Sequence, residues 1–172
     1  WNTPGRIVAG TEASPYSLPW QVALVRPGSS NPFCGGTLIS PRHVLTAAHC
    51  TGINWGNWDV IVGEHRPTDT SDGTRHTKCR HVDHPDYDYP VAENNDFAIV
   101  HLNQPVQIGT RAIPACLPNS TLGGNFLDDK TMTVSGGNEE GHLTNEGLDQ
   151  SEAITAGPVS TLLLVMFSQG SN

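Results

Sequence analysis

Clustered basic charge is the first thing this sequence lacks. Nine Lys and Arg residues face seventeen Asp and Glu in a chain of 172, a formal net charge of −8 at pH 7. A nucleic-acid surface needs Lys and Arg gathered on one face, so no nucleic-acid partner is expected. Long apolar runs are also missing. The longest, Leu162 to Phe167, has six residues, against about twenty for a helix that crosses a bilayer, so no membrane-embedded role is expected. Trp1-Asn2-Thr3-Pro4-Gly5-Arg6 holds no apolar stretch of the kind a secretory leader carries, so any such leader is expected to have been removed already. No amphipathic helical pattern of useful length precedes residue 145, and no solenoid repeat is visible. Cysteine is sparse, at positions 34, 50, 79 and 116. Four such residues allow three full pairings, with four reduced thiols as the alternative.

Glycine and proline, by contrast, are abundant. Together they number 31 (18 plus 13) of 172 residues, while charged residues make up only 15%. That balance fits a loop-rich, all-β protein better than a helical bundle. Short apolar segments at Gln21–Val25, Gly36–Ile39, Val44–Ala48, Asp59–Val62, Thr77–Val82 and Phe97–Leu102 read as strands. Turn clusters separate them, at positions 27–32, 70–73 and 94–96. Several short strands at this spacing predict an antiparallel barrel or sandwich. The Pro/Gly/Asn-rich stretch 113–130 reads as a linker, and Thr131–Ser135 as the opening strand of a further unit. Beyond it the pattern weakens, so 131–172 is expected to form only a partial or divergent unit.

Two residues carry the chemical signal. His49 closes the string Thr46-Ala47-Ala48-His49-Cys50, at the end of an apolar strand and beside a cysteine. A histidine held that rigidly suits a general base, which must approach the proton it takes to about 2.6–3.2 Å between heavy atoms. Asp96 follows Asn94-Asn95 and precedes Phe97-Ala98-Ile99-Val100, at the mouth of a strand. A carboxylate there is placed to accept a hydrogen bond from His49 and fix its tautomer, although an Asn-Asn-Asp string alone ordinarily marks a turn.

These strings, in this order, give the chain its resemblance to the trypsin/chymotrypsin-like serine peptidases. The matching pieces include Arg6-Ile7-Val8-Ala9-Gly10, Pro19-Trp20-Gln21-Val22, Cys34-Gly35-Gly36-Thr37-Leu38-Ile39-Ser40, Leu45–Cys50, His84-Pro85, Asn95-Asp96-Phe97-Ala98 and Ile113–Pro118. The resemblance implies a double antiparallel β-barrel with catalysis in the cleft between the barrels. It assigns the base role to His49 and the orienting role to Asp96, which is that family's known chemistry. It implies a Cys34–Cys50 disulfide and zymogen activation by cleavage between Arg6 and Ile7, so residues 1–6 become a propeptide remnant. Residues 7–112 become the first barrel, 113–130 the inter-barrel linker and 131–172 an incomplete second barrel. A secreted endopeptidase is implied, with protein or peptide substrates, protein inhibitors as further partners, and no cofactor. The family's calcium loop has a counterpart only in part: Glu64 matches its first ligand, but Arg75 falls near its last acidic position.

The family's Gly-Asp-Ser-Gly-Gly nucleophile motif is absent from the sequence, and Val134-Ser135-Gly136-Gly137 has no Trp between its glycines. Ser135, Ser151, Ser160, Ser168 and Ser171 lack the Gly-x-Ser-x-Gly frame that would expose a serine on a tight turn. The expectation is therefore a peptidase whose sequence is truncated or garbled after about residue 137, with a secreted, catalytically inactive homologue that binds a partner, or a nucleophile supplied by a separate chain, as the alternatives. His76, Cys79, His81 and His84 match no zinc spacing and are read as a solvated His-rich strand, with no metal. Asn119-Ser120-Thr121 is an N-glycosylation sequon. Trp55 and Trp58, in the loop after His49, are equally suited to touch a substrate or to pack on the barrel.

Overall fold

The computed structural model describes residues 11–51, 58–65, 73–77, 79–117, 133–137 and 143–147. Arg6, Ile7, Trp55, Asn119, the linker from 118 to 130 and the serines at 151, 160, 168 and 171 lie outside the described residues.

β-Branched and apolar residues alternating between turns produce an all-β architecture, as expected. Seven consecutive strands build a seven-stranded antiparallel sheet: β2 (Gln21–Val25), β3 (Pro32–Ser40), β4 (His43–Thr46), β5 (Asp59–Val62), β6 (Thr74–His76), β7 (Arg80–Asp83) and β8 (Ala98–His101). Their order is β6-β5-β2-β3-β4-β8-β7. The two end strands, β6 and β7, are neighbours in sequence with only positions 77–79 between them, which brings the edges of the sheet together. Side chains from β2, β3, β4, β5 and β8 then share one buried cluster, including Val22, Leu24, Leu38, Val44, Val60, Val62 and Val100. Burying one such aliphatic side chain stabilises the fold by about 1.5–3 kcal/mol.

The observed strands depart from the predicted segments where geometry overrides composition. β3 starts at Pro32, inside the predicted turn, because proline is tolerated at the first residue of a strand. β4 stops at Thr46, and the chain turns into a single helical turn, α1 (Ala48–Thr51). His49 therefore stands on that turn and not at the end of the strand. The predicted strand Thr77–Val82 is replaced by β6 and β7, with a corner between them where the Cys79 thiol lies 3.4 Å from the His76 carbonyl. β6 pairs Thr74, Arg75 and His76 with Val62, Ile61 and Val60. Its sequence is polar, so only the partner strand reveals it.

A second, three-stranded sheet joins β1 (Thr11–Glu12), β10 (Leu143–Gly147) and β9 (Thr133–Gly137), in the order β1-β10-β9. β9 overlaps the predicted opening strand 131–135 at Thr133–Ser135 and runs on to Gly137; β10 falls where the hydrophobic pattern had faded. The two sheets are linked at a buried point, where the Ser135 hydroxyl donates to the Gln21 side-chain carbonyl at 3.0 Å. Residues 113–117, the start of the predicted linker, run back along the large sheet. The Ile113 amide donates to the Pro19 carbonyl at 3.1 Å and the Ala115 amide to that of Leu38 at 2.8 Å.

Candidate active site

Strand β4 carries the chain to the site, and its last residue is fixed. The Thr46 hydroxyl, fully buried, donates to the Gly35 carbonyl on β3 at 2.8 Å. Two residues on, α1 begins, and Cys50 is bonded to Cys34 of β3. A loop of this size closed by a disulfide contributes about 3 kcal/mol in the chain-entropy description. The turn that holds His49 is thus tied to β3 on both sides.

Asp96 arrives from the other direction. Its neighbour Asn95 adopts a left-handed backbone (φ 55°), a conformation that asparagine tolerates better than most residues. The Asn95 side-chain Nδ2 donates to the carbonyls of Asp86 and Tyr89 at 3.0 and 3.1 Å, and the Phe97 backbone amide donates to the Asn95 carbonyl at 2.8 Å. Asp96 is therefore presented from a closed loop just before β8.

The two residues meet 47 positions apart in sequence. Asp96 Oδ2 lies 2.6 Å from His49 Nδ1, and its Oδ1 accepts the His49 backbone N–H at 2.8 Å. One carboxylate therefore grips both the ring and the main chain of the same residue. The Asp96 side chain is 9% exposed and that of His49 30%. A carboxylate only accepts, so the shared proton sits on Nδ1 and leaves the Nε2 lone pair available as a base. Nε2 lies 3.4 Å from Cys50 Sγ. Burial first, then the carboxylates of Asp96, Asp88, Glu93 and Asp83, raise the Tyr87 phenol above its usual range.

Other predicted residues lie elsewhere. Ser135 is buried and engaged with Gln21, which removes it as a candidate nucleophile. Trp58 is 5% exposed and belongs to the core, so of its two predicted roles packing is the one observed. His76 is buried, Cys79 half-buried and His81 exposed, with His81 against the Trp58 ring at 5.7 Å. Among the described residues, the only three metal-type donors that converge are Cys34, His49 and Cys50, and two of these are spent in the disulfide. Arg75 places its guanidinium on Asp59 Oδ2 at 2.9 Å and on the Ser29 carbonyl, and positions 66–72, between it and Glu64, lie outside the described residues. Two polar residues beside the site, Thr51 and Asp83, escaped the sequence reading. They touch across 32 positions, and neither stands in a motif.

The sequence matches the family model described as Trypsin over residues 7–159. The chain belongs to the trypsin family. A venom serine protease of Polistes dominula is 36% identical to this trypsin-family chain over 143 residues, 79% of the chain and 50% of the relative. Venom serine protease 34 of Apis mellifera is 33% identical over 158 residues, 86% of the chain and 37% of the relative. The chain thus spans half or less of the length of these two relatives. Among solved structures, neuropsin, a serine protease expressed in the limbic system of mouse brain, superimposes with a TM-score of 0.65 at 26% identity. That match covers 81% of the chain and 62% of neuropsin. The seven-stranded sheet is accordingly a trypsin-like barrel unit, and the second unit is incomplete among the described residues.

Proposed function

We propose that this trypsin-family chain is the base-bearing part of a secreted serine endopeptidase. The observation that carries the reading is the double hold of Asp96 on His49, at Nδ1 and at the backbone N–H. In the proposed reaction His49 Nε2 takes the proton of a serine hydroxyl as that oxygen attacks the scissile carbonyl. It then returns the proton to the departing amine, leaving an acyl-enzyme that water hydrolyses by the same route. Asp96 keeps the ring in the correct tautomer and stabilises the imidazolium. The nucleophile is proposed to come from sequence outside these 172 residues, a view supported by the greater length of the relatives.

Secretion is supported by the disulfide, which persists in oxidising compartments, and by the venom proteases among the relatives. Activation by cleavage after Arg6, glycosylation at Asn119 and capture by protein inhibitors belong to the same proposal. The rival reading, an inactive homologue that binds a partner, draws on one specific observation: no Gly-Asp-Ser-Gly-Gly string stands in the sequence. A fluorophosphonate probe separates the two, because it reacts only with an activated serine. Labelling of the activated natural protein, at an intact mass above 18.4 kDa, is the expected result. Absence of labelling rejects the enzyme.

A further inference from the structure

We propose that Asp83 is a positioning residue for the His49–Asp96 pair and acts through Thr51; the inference rests on the reading of His49 as the general base. His49 stands on a helix of one turn, Ala48–Thr51. So short a helix has no stability of its own, because its nucleus costs more than its few hydrogen bonds return. The direction of the imidazole is therefore set by whatever grips the turn from outside. The disulfide holds Cys50, and Asp96 holds His49. A third grip acts at the end of the turn.

Thr51 is 4% exposed. Its hydroxyl lies 2.8 Å from the Ala48 carbonyl, within the turn, and 2.5 Å from Asp83 Oδ1, on β7. A hydroxyl has one proton, and a carboxylate is the stronger acceptor, so the link to Asp83 takes it.

Where Asp83 comes from matters as much as what it touches. Asp83 pairs with Ala98 across the β7–β8 ladder, and the next residue continues the frame, the His84 amide donating to the Phe97 carbonyl at 3.0 Å. Ala98 stands two residues after Asp96. One two-stranded frame therefore carries both carboxylates, and both reach the same helical turn, at His49 and at Thr51. Two holds at different points prevent the turn from pivoting about either one. Without the Asp83 link the disulfide still holds Cys50 and Asp96 still holds His49, but the last residue of the turn loses its side-chain anchor, and a reacting group displaced by about 1 Å loses on the order of 10² in rate.

The test uses the whole chain and needs no nucleophile. An Nδ1 proton held by a carboxylate gives a sharp low-field NMR resonance, whereas a loosely held one exchanges with water and broadens. Thr51→Val and Asp83→Ala are each expected to broaden that resonance beyond detection, and the double variant to behave like either single one, since one link is being cut. Asp83→Asn, which still accepts the Thr51 hydroxyl, is expected to restore it. A purely structural role would lower the melting temperature and leave the resonance in place. A sharp resonance in both Thr51→Val and Asp83→Ala, with Asp96→Asn abolishing it, overturns the proposal and spares the His49–Asp96 reading. If Asp96→Asn leaves it untouched, that reading falls and takes the proposal with it. Loss in Asp83→Asn as complete as in Asp83→Ala also overturns the proposal, because charge and not the hydroxyl link would then be acting.

Discussion

Gln21 and Ser135 are separated by 114 positions, yet the Ser135 hydroxyl donates to the Gln21 side-chain carbonyl at 3.0 Å in a buried setting. This bond joins β9 of the small sheet to β2 of the large one. Cutting it by Ser135→Ala leaves the Gln21 oxygen buried without that donor, at a cost of roughly 1–3 kcal/mol. Urea denaturation of the variant is expected to show a lower midpoint with an unchanged slope. An unchanged midpoint would mean that the two sheets do not depend on this contact.

Gly36 sits where strands crowd. A Cβ added there would meet Val44 Cγ1 at 2.9 Å, the Leu45 carbonyl oxygen at 3.0 Å and Val22 Cγ2 at 3.1 Å. Two of these are core side chains and the third is backbone, so nothing gives way cheaply. Gly36→Ala is expected to destabilise the barrel by roughly 1–3 kcal/mol through overpacking. Gly28→Ala is a poor control because of its left-handed φ of 75°, whereas Gly109, with open space around it, is a good one. Thermal melts of the Gly36→Ala and Gly109→Ala chains should therefore separate clearly.

The two cysteines outside the disulfide should differ sharply in reactivity. Cys116 is exposed and Cys79 half-buried. Burial, with the Asp59 charge as the second cause, pushes the Cys79 thiol up to about 11. Its thiolate fraction at pH 8 is then on the order of 10⁻³. Iodoacetamide at pH 8 should add once to the folded chain, at Cys116, and reach Cys79 only in denaturant. Peptide mass mapping that finds Cys79 modified first would contradict this arrangement.

His76 links stability to pH. Burial lowers its affinity for a proton below the ordinary value of 6.5, so near and below that pH the unfolded chain binds more protons than the folded one. Stability is therefore expected to fall as pH drops through about 6.5 and to gain nothing from this residue above it. His76→Gln should flatten the dependence of the urea midpoint between pH 8 and pH 5. An equally steep slope in the variant would assign the effect to other groups.

Some of this protein was settled by its sequence. Short apolar segments at Gln21–Val25 and Asp59–Val62 gave strands at their observed limits, because an apolar run of four or five residues between turns is buried nearly throughout when it pairs inside a sheet. The string from Thr46 to Cys50 marked His49 as the candidate base, and Thr46 and Cys50 on either side of it are both tied to β3. Folding alone decided the rest. The polar strand Thr74–His76 exists because Val60–Val62 offers it a ladder. Trp58 went to the core because the sheet closes around it. Above all, Asp96 at His49 and Asp83 at Thr51 are contacts across 47 and 32 positions. A hydrogen bond forms only within a few tenths of an ångström of its ideal length, and strand register, not residue type, fixes distances that finely.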